Sequence, residues 1–382
     1  MISLQEAHKR IGRLHPLPPV GVELVKAIGL ICGAETCAMA NCPTVDSSLK
    51  DGFAVISADI AEASPANPVT LNVKGALSAG DDAGKAVVAA GTALRIMTGA
   101  PIPEGATAVL ASEFTTCNGE QVTVSADAEV GRNILFKASD VTQGQLLLSR
   151  GDMLTPARLG LLSAAGLNDV SCYPLPRVVV AATGSELVWP GEAIAPGKVA
   201  ASNMVTVAAE LQKMGLSPSR LLLRDNFDIL HEQFSRLIEN CDVLITCGGI
   251  LDGDKDLTMQ AMESLGMEKI FHRVRIGPGK GACMGRIGNA TVFNLPGGPP
   301  SNHVALLLLA LPGIRRLMGF RDFLPTKAWA RVTKKLKGQK SWTQLVYSKI
   351  SQSGDGILVD PLLNESRLES MAAADSLVEI PE

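Results

Sequence analysis

The stretch from Cys241 to Asp256, CDVLITCGGILDGDKD, constrains this chain more than any other. Val243-Leu244-Ile245 is a short apolar run stopped by Thr-Cys-Gly-Gly, which suits a strand buried on both faces of a parallel sheet. Gly248 and Gly249 let backbone N–H groups turn towards a ligand without Cβ interference, as an anion such as phosphate requires. Three carboxylates, Asp252, Asp254 and Asp256, follow at once. Met259, Met262 and Leu265 then recur at helical spacing before Gly266. Strand, glycine turn, acids and helix is how open α/β sheets present ligands at the carboxyl ends of their strands. A plainer reading has one aspartate capping the helix and the others solvated.

A chain of 382 residues exceeds one ordinary core and predicts two to four domains. Hydrophobic residues at 46% against 19% charged exclude a disordered chain. Aromatics at only 4% argue against a stacking platform for single-stranded nucleic acid. A net charge of −3 offers no general attraction to DNA or anionic membrane. The basic run Arg331–Lys340 reads as a solvated strand or linker. Neither a signal core nor an apolar span of about 18 residues is present, so no membrane segment is expected. The 8 cysteines show no C-x-x-C and the 5 histidines are dispersed, which excludes the usual zinc spacings. Reduced thiols in a cytoplasmic protein are the expectation, with Cys32, Cys37 and Cys42 as buried small hydrophobes.

Along the chain, Ser3 and Glu6 bracket a capping-box start for a first helix, and Val22–Ile31 reads as a second. From about Asp59 to Val130 short apolar runs alternate with Gly and Pro punctuation, and Asn118-Gly119 signals a hairpin. Thr155-Pro156 opens another helix, and Tyr173–Pro176 reads as a linker. From Arg177 strands and helices alternate: strands at Val178–Ala182, Leu221–Leu223, Ile270–Ile276 and Thr291–Leu295, with helices from Ser202, near Phe227 and from Ser301. That pattern predicts an α/β domain with a parallel or mixed sheet. After Pro325 the pattern is β again.

Three further loops belong to the same sheet edge. Thr183-Gly184-Ser185-Glu186 follows the first strand, and Glu186 is there a base, a metal ligand or a surface acid. Arg224-Asp225 follows the second, and either joins them or pairs within itself. Leu295-Pro296-Gly297-Gly298-Pro299-Pro300-Ser301 ends one strand and opens a helix. Pro278-Gly279-Lys280-Gly281 adds a glycine loop with one ammonium. Carboxylates, a lysine and exposed N–H groups suit a phosphorylated ligand held with a divalent cation better than a nucleophile-based hydrolase.

Taken together these residues resemble the molybdopterin molybdenumtransferases of the MoeA and gephyrin E-domain type. Lys50–Val55 is similar to the family's MDGYAV, Arg95–Pro103 to RIMTGAPLP, Thr183–Leu187 to TGDEL, Thr246–Asp256 to SSGGVSVGDYD and Leu295–Ser301 to LPGNPVS. The resemblance implies insertion of molybdate into adenylyl-molybdopterin with release of AMP, assisted by Mg²⁺, in an elongated homodimer whose cleft draws on both subunits. It implies an N-terminal mixed α/β dimerisation domain (1–54 and 131–175), an inserted mostly-β domain (55–130), a MogA-like molybdopterin-binding α/β domain with a mostly parallel sheet (176–322) and a shortened C-terminal β domain (323–382). Asp51, Glu186, Asp225, Asp256 and Lys280 match its functional polar residues, with Asp225 and Asp256 as metal ligands. Thr183, Gly184, Cys247, Gly248, Gly249, Asp254, Pro296, Gly297, Pro299 and Ser301 stand at its cofactor-binding positions. Other proteins of molybdenum-cofactor synthesis are implied partners, and neither nucleic acid nor membrane is.

The chain departs from the pattern in places. KPGKP is GPGKG, with Gly277 for a lysine; TGDEL has Ser185; the aspartate before Ser-Asn is Ala201; and R-x-x-G-E-D reads Leu135–Asp140, keeping only the last acid. Two other functions compete with the insertase. One is a paralogue that binds molybdopterin or a partner without turnover. The other is a nicotinamide-nucleotide amidase of the competence-damage type, which lacks the half of the chain carrying Asp51 and Arg95–Pro103.

Overall fold

The computed structural model describes residues 1–248, 256–354, 356–363 and 366–382. Within it the chain forms two compact units: Met1–Val20, Leu30–Gly33 and Cys172–Glu382 make one, and Gly21–Gly29 with Ala34–Ser171 the other. The architecture is multidomain α/β plus β.

The first unit is built on a six-stranded mixed sheet in the order Ser219–Leu223, Val178–Thr183, Val243–Cys247, Ala290–Leu295, Cys283–Ile287, Glu268–His272. Its first four strands run parallel, Cys283–Ile287 runs against them, and Glu268–His272, antiparallel to that strand, runs with the first four again. Both faces are covered, because alternate residues of a strand point to opposite sides. Val178, Val180 and Ala182 join one core with Met204, Val207 and Leu211 of the Ser202–Lys213 helix. Val179 and Ala181 join another with Leu230 and Phe234 of helix Phe227–Ile238 and Met259 and Met262 of helix Leu257–Ser264. This double burial explains why the strands read as unbroken apolar runs.

A five-stranded sheet near the C-terminus is led by Thr343–Ser353, which pairs with Ile276–Gly277, Gly356–Pro361 and Ser376–Ile380. The strand expected over Ile270–Ile276 is therefore divided between two sheets. Arg273, at φ +65°, breaks it, and a left-handed arginine leaves no mark in the residue pattern.

The second unit contains a six-stranded sheet in the order Ala108–Ala111, Gly52–Val55, Thr92–Ile96, Val69–Leu77, Gln121–Val124, Thr115–Asn118. Phe53 and Val55 enter one small core of this sheet and Ala54 another. The Asn118-Gly119 hairpin forms with Gly119 at φ +65°. Thr155 caps the helix Pro156–Ala164 through the Arg158 amide. In the first unit, Ser3 caps helix Leu4–Ile11, while Glu6 turns to Arg10 at 2.8 Å and leaves the capping box half-made.

The helix expected over Val22–Ile31 does not form. Val20–Glu23 is a strand, Leu24–Lys26 a single tight turn, and Val25 and Ile28 are exposed. β-Branched valines at Val20, Val22 and Val25 resist a helix, and Gly29 at φ +75° ends any turn. Cys32 is buried as expected, but Cys37 is exposed and Cys42 half-buried.

Candidate active site

The site grows from the end of the central strand. Gly248 takes φ +108°, and a Cβ there would lie 2.8 Å from the Thr183 carbonyl oxygen. No side chain fits that approach. The Gly248 amide donates to the Leu295 carbonyl at 3.0 Å, and a Cβ on Gly297 would stand 3.7 Å from the Gly248 Cα. The loops after three neighbouring parallel strands thus converge on one glycine, at the sheet edge where such folds place ligands. Gly249, Asp252 and Asp254 lie outside the described residues.

Polar side chains not singled out from the sequence stitch these loops together. Thr258 Oγ1 donates to Thr183 Oγ1 at 3.1 Å inside the protein. Asn203 Nδ2 donates to the Gly297 carbonyl at 2.7 Å, and Asn302 Nδ2 to the Pro296 carbonyl at 2.9 Å. Asn302 is 1% exposed, and its Oδ1 has no partner among the described residues. A buried asparagine among Val304, Ala305 and Leu306 is the sequence signal that could have found it. Cys247 is buried and its thiol, hydrogen-bonded to Asn302, is pushed up to about 12 by burial. It packs beneath the loop as an inert group.

The carboxylates gather on the other loops. Glu186 folds back over Gly184, where a Cβ would meet both carboxylate oxygens at 2.7 Å. The Gly184 amide donates to the Leu223 carbonyl at 3.1 Å, which sets this loop beside Asp225. Asp225 is open to solvent yet raised above the usual carboxylate range, by partial burial first and then by Glu186, against an opposing hydrogen bond from the Ser185 amide. Lys198 Nζ donates to the Ser185 carbonyl at 2.7 Å. Asp256 is 7% exposed and caps helix Leu257–Ser264, accepting from the Met259 amide at 3.0 Å. Burial pushes its carboxyl up to about 6, and the charged groups acting on it, Asp225 and Glu263, are both acids. The cap is real, so the electrostatics decide whether Asp256 does more. Glu186 acts on Asp225 and Asp225 on Asp256, each adding a smaller contribution to that of burial.

Lys280 approaches the same edge from the antiparallel side, since Cys283 pairs with Asn294. Gly279, at φ +116°, brings the loop against the turn at Pro299–Ser301: a Cβ there would lie 2.9 Å from Ile276 Cδ1 and 3.4 Å from the Ser301 carbonyl oxygen. Lys280 is exposed, with its ammonium 5.8 Å from the Trp342 ring centroid. Gly277 lies outside the left-handed region, and a Cβ there would meet nothing within 4 Å.

Asp51 belongs to the second unit. Its Oδ1 accepts from the Thr98 amide at 2.7 Å and the Thr98 hydroxyl at 2.8 Å, and these two donors hold its carboxyl below the usual range. Glu186, Asp225, Asp256 and Lys280 therefore share one sheet edge of the first unit, and Asp51 is organised separately by the Arg95–Pro103 stretch.

Comparison with known proteins accounts for both halves. Residues 2–166 match the family described as the MoeA N-terminal region (domain I and II), and residues 179–316 match the probable molybdopterin binding domain. Over 395 aligned residues the chain is 32% identical to molybdopterin molybdenumtransferase 2 of Mycobacterium tuberculosis (strain ATCC 25618 / H37Rv), covering 100% of this chain and 96% of that one. The chain belongs to the MoeA family. The molybdopterin molybdenumtransferase of Haemophilus influenzae is 33% identical over 327 residues, covering 85% of this chain and 79% of the relative. The crystal structure of the molybdopterin biosynthesis MoeA protein from Pyrococcus horikosii superposes with a TM-score of 0.84 at 30% identity, over 100% of this chain and 95% of that one. MoeA-family membership thus extends end to end, and the central sheet with its converging loops is the molybdopterin-binding α/β fold.

Proposed function

We propose that this chain works in molybdenum-cofactor synthesis, inserting molybdate into adenylyl-molybdopterin and releasing AMP, with Mg²⁺ at the phosphates. The observation that carries this reading is the group Glu186, Asp225 and Asp256. Burial first, and then the neighbouring acid, raises both Asp225 (beside Glu186) and Asp256 (beside Asp225), next to a glycine turn suited to phosphate. Among the described residues no three His, Cys, Asp or Glu side chains form a complete metal site. Mg²⁺ typically takes one or two carboxylates and completes its shell with water and substrate phosphates, so the donor set fits. Asp225 and Asp256 would hold the ion, which when bound neutralises charge on the phosphates.

The protein's own groups supply the rest. The Gly248 and Gly297 turns bring backbone close to the ligand, and Asn203 and Asn302 fix the carbonyls that orient that backbone. Lys280 offers a point charge to molybdate or to the phosphate end of the ligand. Water cleaves the phosphoanhydride to give AMP and the phosphate of molybdopterin, while the two dithiolene sulfurs displace two oxygens of molybdate, which leave as water.

We further propose a homodimer, paired through the first 175 residues. The second unit leaves Val25 (76%) and Met39 (66%) exposed, a cost that a partner surface would relieve. A monomer by light scattering at micromolar concentration counts against pairing.

Two observations favour the weakened paralogue. Ala201 stands at the N-cap of helix Ser202–Lys213 with no side-chain cap, and Gly277 leaves Lys280 without a second lysine in its loop. AMP release from adenylyl-molybdopterin on adding molybdate and Mg²⁺ separates the readings. Turnover supports the insertase; tight binding without AMP supports the paralogue.

A further inference from the structure

The C-terminal sheet meets both anion-facing loops through one strand. Its leading strand, Thr343–Ser353, starts in parallel register with the GPGK loop: Ile276 pairs with Thr343 and Gly277 with Gln344, and the Thr343 amide donates to the Arg275 carbonyl at 3.1 Å. Trp342 immediately precedes that pairing, and its ring lies 5.8 Å from the Lys280 ammonium. Five residues on, Tyr347 is 8% exposed and faces the turn that follows Leu295. Its hydroxyl donates to the Pro300 carbonyl at 3.5 Å and takes His303 Nδ1 as a second partner at 3.0 Å. The two rings stack at 5.9 Å between centroids and 3° between planes.

We propose that Trp342 and Tyr347 are positioning residues: Trp342 aims the Lys280 ammonium at the oxyanion, and Tyr347 fixes the Pro299–Ser301 turn beside it. The physical need is plain. Lys280 is a long exposed side chain on a glycine loop, and its bound geometry is costly to reach unless something narrows its range beforehand. An aromatic face within about 6 Å attracts the cation without neutralising it, so the charge stays available to an anion. A carboxylate in that place would compete with the ligand. Tyr347 acts on the other loop, where its hydroxyl ties the Pro300 carbonyl, at the start of helix Pro299–Ala305, and His303 to the C-terminal sheet.

This proposal rests on the reading of Lys280 as the cation that meets the oxyanion. Calorimetric titrations with AMP and, separately, with molybdate test it in the full chain. Trp342→Leu should weaken binding roughly two- to fivefold, the range for an exposed cation–π contact. Trp342→Phe should lose less, since it keeps a π face. The same leucine change made together with Lys280→Gln should cost nothing further, because the interaction works through that lysine. Tyr347→Phe should weaken the same ligands independently, and its effect should add to that of Trp342→Leu because the two hold different loops.

A Trp342→Leu effect of equal size with and without Lys280→Gln overturns the proposal and leaves a merely structural tryptophan. So does wild-type binding that neither aromatic variant disturbs; in that case the functional reading stands alone. Failure of the wild type to bind either AMP or molybdate removes the functional reading and the proposal together. Should the leucine variant fail to fold, Trp342→Phe made with and without Lys280→Gln supplies the same cycle.

Discussion

Asp256 and Asp51 are the same side chain in opposite surroundings. Asp51 lies exposed on the second unit, receives two hydrogen bonds from Thr98, and is held below the usual carboxylate range. Asp256 is nearly buried in the first unit among other acids and is pushed up to about 6. One aspartate is content with its charge; the other carries a charge that burial disfavours more than its backbone hydrogen bonds stabilise it. That difference is why the proposed cation is placed at Asp256, whereas the charge of Asp51 is already met by Thr98.

Asp256→Asn is the most direct way to break the comparison. Asparagine caps a helix about as well as aspartate, so the Met259 hydrogen bond survives the change. A metal-bound carboxylate supplies charge that an amide cannot, and its loss should cost several kcal/mol of catalysis, roughly a hundredfold or more in AMP release. Full turnover in this variant would leave Asp256 as a helix cap alone.

The same pair differs in how pH and charge affect folding. Asp256 binds its proton more tightly folded than unfolded, so its charged form costs stability above about pH 6. That cost is relieved as pH falls through 6 towards its unfolded value near 3.9. A shift of this size corresponds to about 2–3 kcal/mol at neutral pH. Asp256→Asn should therefore raise the ligand-free melting temperature at about pH 7 and leave it little changed at about pH 4. Asp51 has the opposite sign: its contribution is present above the unfolded value and is lost as pH falls through its lowered folded one. Asp51→Asn should accordingly lower the melting temperature at about pH 7. Melting curves at two pH values in chelator check both signs, and a shared sign would erase the contrast.

A smaller effect is expected on the cationic side of the site. Gly277 lies outside the left-handed region with open space around its Cβ position, so a side chain there meets no backbone penalty. Gly277→Lys adds a second cation beside Lys280 and should tighten molybdate binding by about 1–3 kcal/mol. The gain should shrink between low and physiological salt, where charges are screened over roughly 8–10 Å. Gly277→Ala is the control. Equal affinities for the lysine and alanine variants at low salt would show that the missing charge is not what limits anion binding.

Much of this was legible from residues alone, for identifiable reasons. Val178–Thr183, Val243–Cys247 and Ala290–Leu295 are buried on both faces, so they read as strands without ambiguity. Loops at the ends of parallel strands share an edge by topology, which is why Glu186, Asp225 and Asp256 could be grouped before their mutual electrostatics were seen. Val22–Ile31 misled because its apolar spacing imitates a helix while its residues do not favour one. Asn203, Thr258, Trp342 and Tyr347 gave no signal. Each is a single polar or aromatic residue whose partner lies in another element, and nothing local records that meeting.

The smallest expected effect compares the backbones of the two units. In the first, the strained turns of the site fall to glycine: Gly248 at φ +108° and Gly279 at φ +116°. In the second, Ala138 occupies φ +61°, a left-handed conformation that costs an L-residue about 1–2 kcal/mol. Its amide donates to the Pro43 carbonyl at 3.0 Å, a bond glycine would keep. Ala138→Gly should relieve the strain, less the greater entropy that glycine gives the unfolded chain, for a net gain of about 0.5–1 kcal/mol. Gly279→Ala is the mirror experiment. It imposes the same kind of strain and brings a Cβ within 2.9 Å of Ile276 Cδ1, so it should destabilise by more than Ala138→Gly stabilises. Urea midpoints for the two variants decide the matter. If Ala138→Gly lowers the midpoint without changing the slope, the alanine methyl contributes packing that outweighs its backbone cost, and left-handed strain is not what limits that loop.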